Sequence, residues 1–137
     1  MTRRLWILAL ATGATGFSLW SQVEARLRGR LRAGRKVESG GKQVEVTGDE
    51  SVLAVLADDR VFGMDLEIEG HPGPDGRFVA NPIHTKPIHT YQGEKRLIVS
   101  YWCEVCYIRF YKPGTCWCCQ KESLLDPKDP NTPERVP

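Results

Sequence analysis

Met64-Asp65-Leu66-Glu67-Ile68-Glu69-Gly70 alternates apolar and acidic residues without a break, and after the turn Pro72-Gly73-Pro74-Asp75-Gly76 the segment Arg77-Phe78-Val79-Ala80 returns. Period-two alternation puts Met64, Leu66 and Ile68 on one face of a strand and the carboxylates on the other, as in an antiparallel sheet with one buried face. Upstream, Val44-Glu45-Val46-Thr47-Gly48 reads as an earlier strand, with Gly40-Gly41 as its boundary. Between the two, Ser51 to Asp59 predicts one or two helical turns capped by Asp49 or Ser51. Downstream, the turn Gln92-Gly93-Glu94 precedes a strand from Arg96 to Trp102, and Tyr107 to Tyr111 reads as the last strand. Short strands with one short helix predict a mainly β domain, a small antiparallel barrel or a strongly bent sheet.

The order of these features resembles an OB fold: a Val-x-Val-x-Gly strand, an acidic strand ending at Glu69-Gly70, then Asp75-Gly76-Arg77-Phe78-Val79-Ala80. An anchor followed by an OB-like barrel is similar to the layout of the membrane-anchored bacterial haem chaperone. The His-x-x-x-Tyr motif of that family is not reproduced, because Ile88 stands four residues after His84 and Tyr91 only two after His89. Haem attachment is therefore not expected. Nucleic acid is not expected either, since Asp65, Glu67 and Glu69 on an exposed strand face would repel phosphate.

Charge is divided unevenly along the 137 residues. Residues 1–36 hold eight Lys/Arg against one acid, whereas residues 37–137 hold eleven against sixteen. Leu5 to Val23 is a 19-residue run without charge. As a helix it would span roughly 28 Å, close to a hydrocarbon core of about 30 Å. Trp6 and Trp20 stand near its ends, and the small residues Ala9 and Gly13, Thr12 and Gly16 repeat at a spacing of four. That spacing lets a helix of a membrane-protein partner approach closely.

The expected organisation is a single-pass transmembrane anchor helix with a basic juxtamembrane segment over 1–36, a β domain over 37–125 and an extended tail over 126–137. Val23, Leu27 and Leu31, at spacings of four among arginines, read as the helix continuing along an anionic membrane surface. The six cations from Arg26 to Lys36 oppose translocation and place the domain on the cytoplasmic side. The alternative is an exported protein, with Arg3-Arg4 opening a signal peptide, twin-arginine-like, cleaved near Val23-Glu24-Ala25.

All five cysteines fall between Cys103 and Cys119. A disulfide framework distributes cysteines along a chain, so a cluster points to a metal or redox site. Cys103-x-x-Cys106 and Cys116 to Cys119 each offer a turn that converges two sulfurs, and Pro113-Gly114 supplies a tight turn before the second. Together they predict a zinc-ribbon-like S₄ site, with zinc as the default metal and iron in a rubredoxin-like site as the alternative. Cys118 is then a spare thiol or an alternate ligand, and His84 and His89 are weaker candidate ligands. Tyr101, Trp102, Tyr107, Phe110, Tyr111 and Trp117 read mainly as core filling around the site, with a partner-binding face as the alternative. The tail from Asp126, with four prolines in twelve residues, is expected to be extended and mobile, or laid against a partner.

Pro82-Ile83-His84-Thr85, Leu97-Ile98-Val99-Ser100-Tyr101-Trp102-Cys103-Glu104-Val105-Cys106-Tyr107-Ile108-Arg109, Pro113-Gly114-Thr115-Cys116-Trp117-Cys118-Cys119-Gln120 and Leu124-Leu125-Asp126 resemble a family of small bacterial proteins with a signal or anchor sequence. The resemblance spans roughly residues 60–128, is strongest at the cysteines, and implies a shared metal-knuckle domain without an activity. No nucleophile with a local base, glycine-rich phosphate loop or carboxylate pair suggests an enzyme. The expected function is that of a membrane-anchored, zinc-binding accessory or assembly subunit; the alternative is a redox or metal-handling protein.

Overall fold

A computed structural model describes residues 24–136. The elements are β1 (Ala25–Arg32), β2 (Lys36–Ser39), β3 (Lys42–Thr47), α1 (Glu50–Leu56), β4 (Asp65–Pro72), β5 (Phe78–Ala80), β6 (Ile88–Gln92) and β7 (Lys95–Ile98), then β8 (Tyr101–Cys103), β9 (Ile108–Phe110) and β10 (Leu124–Leu125). The larger sheet runs β1-β2-β3-β5-β4-β6-β7, and β1 also pairs with β4. That extra pairing closes β1, β2, β3, β5 and β4 into a five-stranded barrel. The β3–β5 pair is parallel, and the others in the ring are antiparallel. This ring order, with a helix between β3 and β4, is consistent with an OB-like barrel.

Closure depends on two glycines. A Cβ at Gly70 would lie 2.0 Å from the Val79 carbonyl oxygen and one at Gly29 2.2 Å from that of Glu38, so β4 and β1 bend tightly across their neighbours only without side chains there. Leu31, Val37, Val46, Leu66 and Ile68 fill the barrel, with Val52 and Leu56 of α1 packed into the same core. Asp49 caps α1 by accepting from the Val52 amide at 2.8 Å, while its other oxygen accepts from the Ile83 amide at 2.9 Å. One carboxylate thus starts the helix and ties it to the loop between β5 and β6.

The basic segment is a strand of the barrel, not a continuing helix. Arg26, Arg28, Arg30 and Arg32 point outward, while Ala25, Leu27, Gly29 and Leu31 alternate inward. The register sets Arg26 beside Glu69, Arg28 beside Glu67 and Arg30 beside Asp65. The acidic row of β4 is correspondingly not an open negative face. Glu67 is buried and accepts from the Tyr91 hydroxyl at 2.9 Å and from Arg96 Nε at 2.8 Å, with Arg26 at 3.6 Å. Arg96 also reaches Glu69 at 2.7 Å, and Arg28 reaches Asp65 at 3.0 Å. Phosphate repulsion by a bare acidic strand is therefore not a property of this surface.

The strand expected from Arg96 to Trp102 divides at Val99-Ser100. β7 stays with the barrel, whereas β8 joins a second sheet in the order β10-β8-β9. The hydroxyl of buried Ser100 donates to the Asp126 carbonyl at 2.8 Å. The tail beyond is folded back rather than free. Ile98 and Lys128 exchange backbone hydrogen bonds at 2.8 Å each. Arg109 bonds Asp126 at 2.9 Å and Glu134 at 2.6 Å. Arg109 and Arg135 each lie 4.9 Å from the Trp102 ring centre. Among the described residues no helix is long and apolar enough to cross a membrane. The Leu5–Val23 run and its Ala9, Gly13, Thr12 and Gly16 face lie outside the described residues, as does Val23 of the expected cleavage region.

Candidate metal centre

Both cysteine pairs sit on the tips of hairpins. The first hairpin joins β8 to β9, whose pairing sets Cys103 opposite Ile108. The second runs from Thr115 to Glu122, which pair as an isolated bridge, with the Cys116 amide donating to the Lys121 carbonyl at 2.7 Å. The two turns share one backbone design. The amide of Tyr107 donates to the carbonyl of Cys103 at 2.9 Å, and that of Gln120 donates to the carbonyl of Cys116 at 2.9 Å. Tyr107 and Gln120 accordingly adopt left-handed φ of 55° and 64°.

These turns bring the Sγ atoms of Cys103, Cys106, Cys116 and Cys119 all within 4.8 Å of one another. The Cys103 and Cys119 sulfurs are 3.5 Å apart. A tetrahedron with Zn–S bonds of about 2.3 Å has edges of about 3.8 Å, so the cluster matches a metal-sized cage. Cys103 and Cys116 are buried and Cys106 and Cys119 half-buried, so the site has a shielded side and a wetter one. Among the described residues all five cysteines are free thiols. A cluster of four sulfurs at these separations is close enough to bind a metal ion.

Proton affinities fit that chemistry. The Cys106 amide, donating to Cys103 Sγ at 3.4 Å, is the main cause holding the Cys103 thiol down, to about 7. Cys106 is pushed well above the ordinary thiol value, first by the neighbouring Cys118 thiol and then by burial. Four crowded sulfurs cannot all become thiolates on their own, and a divalent cation supplies the charge that displaces the remaining protons.

Cys118 is exposed and lies outside the cluster of four. His84 is exposed on a single turn over Ile83–Thr85, and neither it nor His89 joins the sulfurs. His89 is buried on the outer face of β6 with no partner for Nδ1, and burial followed by the charge of Arg96 lowers its proton affinity. Tyr101 and Trp102 are core residues, but Trp117 is 73% exposed, so the aromatic cluster is only partly core filling.

Sequence reading missed Arg109. It lies opposite Trp102 on β9, bonds Ser100 Oγ at 2.8 Å, and links the metal-bearing hairpin to the tail. A lone arginine between apolar residues carries no spacing signal that would reveal this. The left-handed roles of Tyr107 and Gln120 were equally silent, because glycine is the residue that announces such a turn. No protein-family model matches the chain, and neither a curated protein nor a solved structure matches it.

Proposed function

We propose that the protein is a non-enzymatic, membrane-anchored domain in which zinc, held by Cys103, Cys106, Cys116 and Cys119, stabilises an OB-like barrel that serves as an accessory or assembly subunit of a membrane complex. The observation that carries the reading is the pair of matching turns, which converge four sulfurs within 4.8 Å from two hairpins. The sheet that bears them is short: β8 and β9 have three residues each and β10 two. So small a sheet has little core of its own, and metal–sulfur bonds would supply what packing does not. When bound, zinc neutralises the thiolates and cross-links the hairpins; this chain's part is to fix sulfur positions and donate amides to them. The anchor is Leu5–Val23, and the six cations behind it favour a cytoplasmic domain.

The runner-up is a redox or metal-handling protein with a rubredoxin-like iron site. The exposed Cys118 beside the cluster favours it, as a thiol from which an ion could arrive or to which it could leave. Visible absorption of the full chain purified from membranes separates the two: a colourless protein with zinc supports the structural reading, and a red oxidised protein with iron replaces it. A phosphatase reporter fused after Pro137 tests the topology. Activity there, or a mature N-terminus near Arg26, would favour the exported form.

A further inference from the structure

Six large hydrophobic residues are left exposed among the described residues, and four of them, Val105, Tyr107, Trp117 and Leu124, belong to the metal-bearing module. All four lie on the strands and cysteine turns of that module. Leu124 is the register partner of Trp102, whose ring meets that of Tyr107 edge-on at 5.7 Å. Val105 lies within the first cysteine turn and Trp117, the residue after Cys116, within the second, so both flank the same sulfur cluster. The outer barrel face over β1, β4, β6 and β7 is by contrast a lattice of arginine–carboxylate pairs.

The position of this module relative to the start of the barrel indicates what covers it. The charge-free run ends at Val23, two residues before β1 begins at Ala25. Ala25 is level with Gly70 on β4, and the adjacent Glu69 amide donates to the Pro87 carbonyl at 3.0 Å. Next along, the Lys86 ammonium lies 5.0 Å from the ring centre of Tyr111, at the far end of β9. The chain therefore enters the barrel about two strand spacings, or about 10 Å, from Pro87, whose neighbour Lys86 reaches across to Tyr111 at the foot of the metal module. With only Glu24 between that run and β1 there is no room for an excursion away from the bilayer, and tethering raises the local lipid concentration seen by any exposed indole.

We infer that the apolar rim of the metal module, with Trp117 at its tip, docks into the headgroup interface of the bilayer that holds the anchor. The chemistry is that of an amphipathic ring: the indole body leaves water while its N–H keeps a polar partner among headgroups. The module thereby fixes the barrel's tilt on the membrane. This inference rests on the proposed anchor.

The test uses the full chain with Trp6→Phe and Trp20→Phe, reconstituted in mixed phosphatidylcholine and phosphatidylglycerol vesicles with or without lipids brominated near the headgroup end of their acyl chains. The Trp117 signal is the difference from the same protein carrying Trp117→Phe, with metal content checked to be equal. The expected result is that the protein floats with the vesicles and that bromine lowers the Trp117 emission about twofold. A protein that floats but shows no bromine quenching overturns the docking while leaving the anchor intact. If acrylamide in the aqueous phase then quenches Trp117, the rim faces water; if neither quencher acts, another protein surface covers it. A protein that does not float refutes the anchor, and the docking with it.

Discussion

Gln120 and Tyr107 hold left-handed backbone conformations at φ 64° and 55°, where an L side chain costs about 1 kcal/mol relative to glycine. Gln120 is exposed, so its side chain contributes little to offset that cost. Gln120→Gly is expected to raise the unfolding free energy of the metal-loaded protein by about 1 kcal/mol, and Gln120→Val to lower it by a similar amount, both read by denaturant titration. Tyr107→Gly should gain less, because it also removes the edge-on contact with Trp102 at 5.7 Å. The thiols differ just as sharply from one another. Cys119 is within the cluster of four and Cys118 outside it, so Cys118→Ser should leave metal content and Tm nearly unchanged while Cys119→Ser loses the metal. Equal losses from the two variants would mean that an exchanging ligand set holds the ion.

The β4 strand shows how an element can carry its own pH dependence. Burial would raise the carboxyl of Glu67, but hydrogen bonds from Tyr91 and Arg96 and the charge of Arg96 bring it below its ordinary value of 4.5. A carboxyl lowered by folding contributes stability above the unfolded value, and that contribution is lost as pH falls through the folded one. Arg96→Met should therefore cost about 2 kcal/mol at pH 7, less than a fully buried pair because about a third of Arg96 stays in water. In acid, below the folded value of Glu67, that cost should shrink, since the carboxyl is then protonated with or without its partner. Urea titrations at pH 7 and in acid measure the difference.

Elements also differ in how legible they are. β4 and α1 could be read because each carries one periodicity and a clear boundary: alternating acids end at Gly70, and a capping Asp49 opens the helix. β1 misled because Val23, Leu27 and Leu31 at spacings of four satisfy both a helix and a strand. The decisive pattern was the strict alternation of Arg26, Arg28, Arg30 and Arg32, which complements Asp65, Glu67 and Glu69 across the sheet. An arginine strand opposite an acidic strand is a pairing signal that a local helical reading overlooks. The division at Ser100 had no local signal, because it is imposed by Asp126, twenty-six residues later. The sulfur cluster was legible from spacing alone, since a turn between two cysteines is a local structure, whereas the tail's attachment depends on Arg109 and is not local.

At the scale of the whole molecule, barrel, metal module and tail are joined through few side chains. Arg109 is 7% exposed at its side chain and binds Glu134, and Arg135 covers Trp102. Truncation after Lys128 removes both tail partners and should destabilise the protein by about 2 kcal/mol, with a red shift in tryptophan emission as Trp102 meets water. The sulfur cage is the larger cross-link. Metal binding on the order of 10 kcal/mol is also folding energy in a domain whose metal-bearing sheet is built on strands of two and three residues. Cys103→Ser should accordingly empty the site and melt the second sheet together. The most direct measurement is elemental analysis with thiol counting on the full chain purified from membranes without chelator. The account predicts about one metal ion per chain, with release of that ion by a strong chelator accompanied by unfolding; it is contradicted by a metal-free protein that is folded, whether its cysteines are all free or some are paired in disulfides.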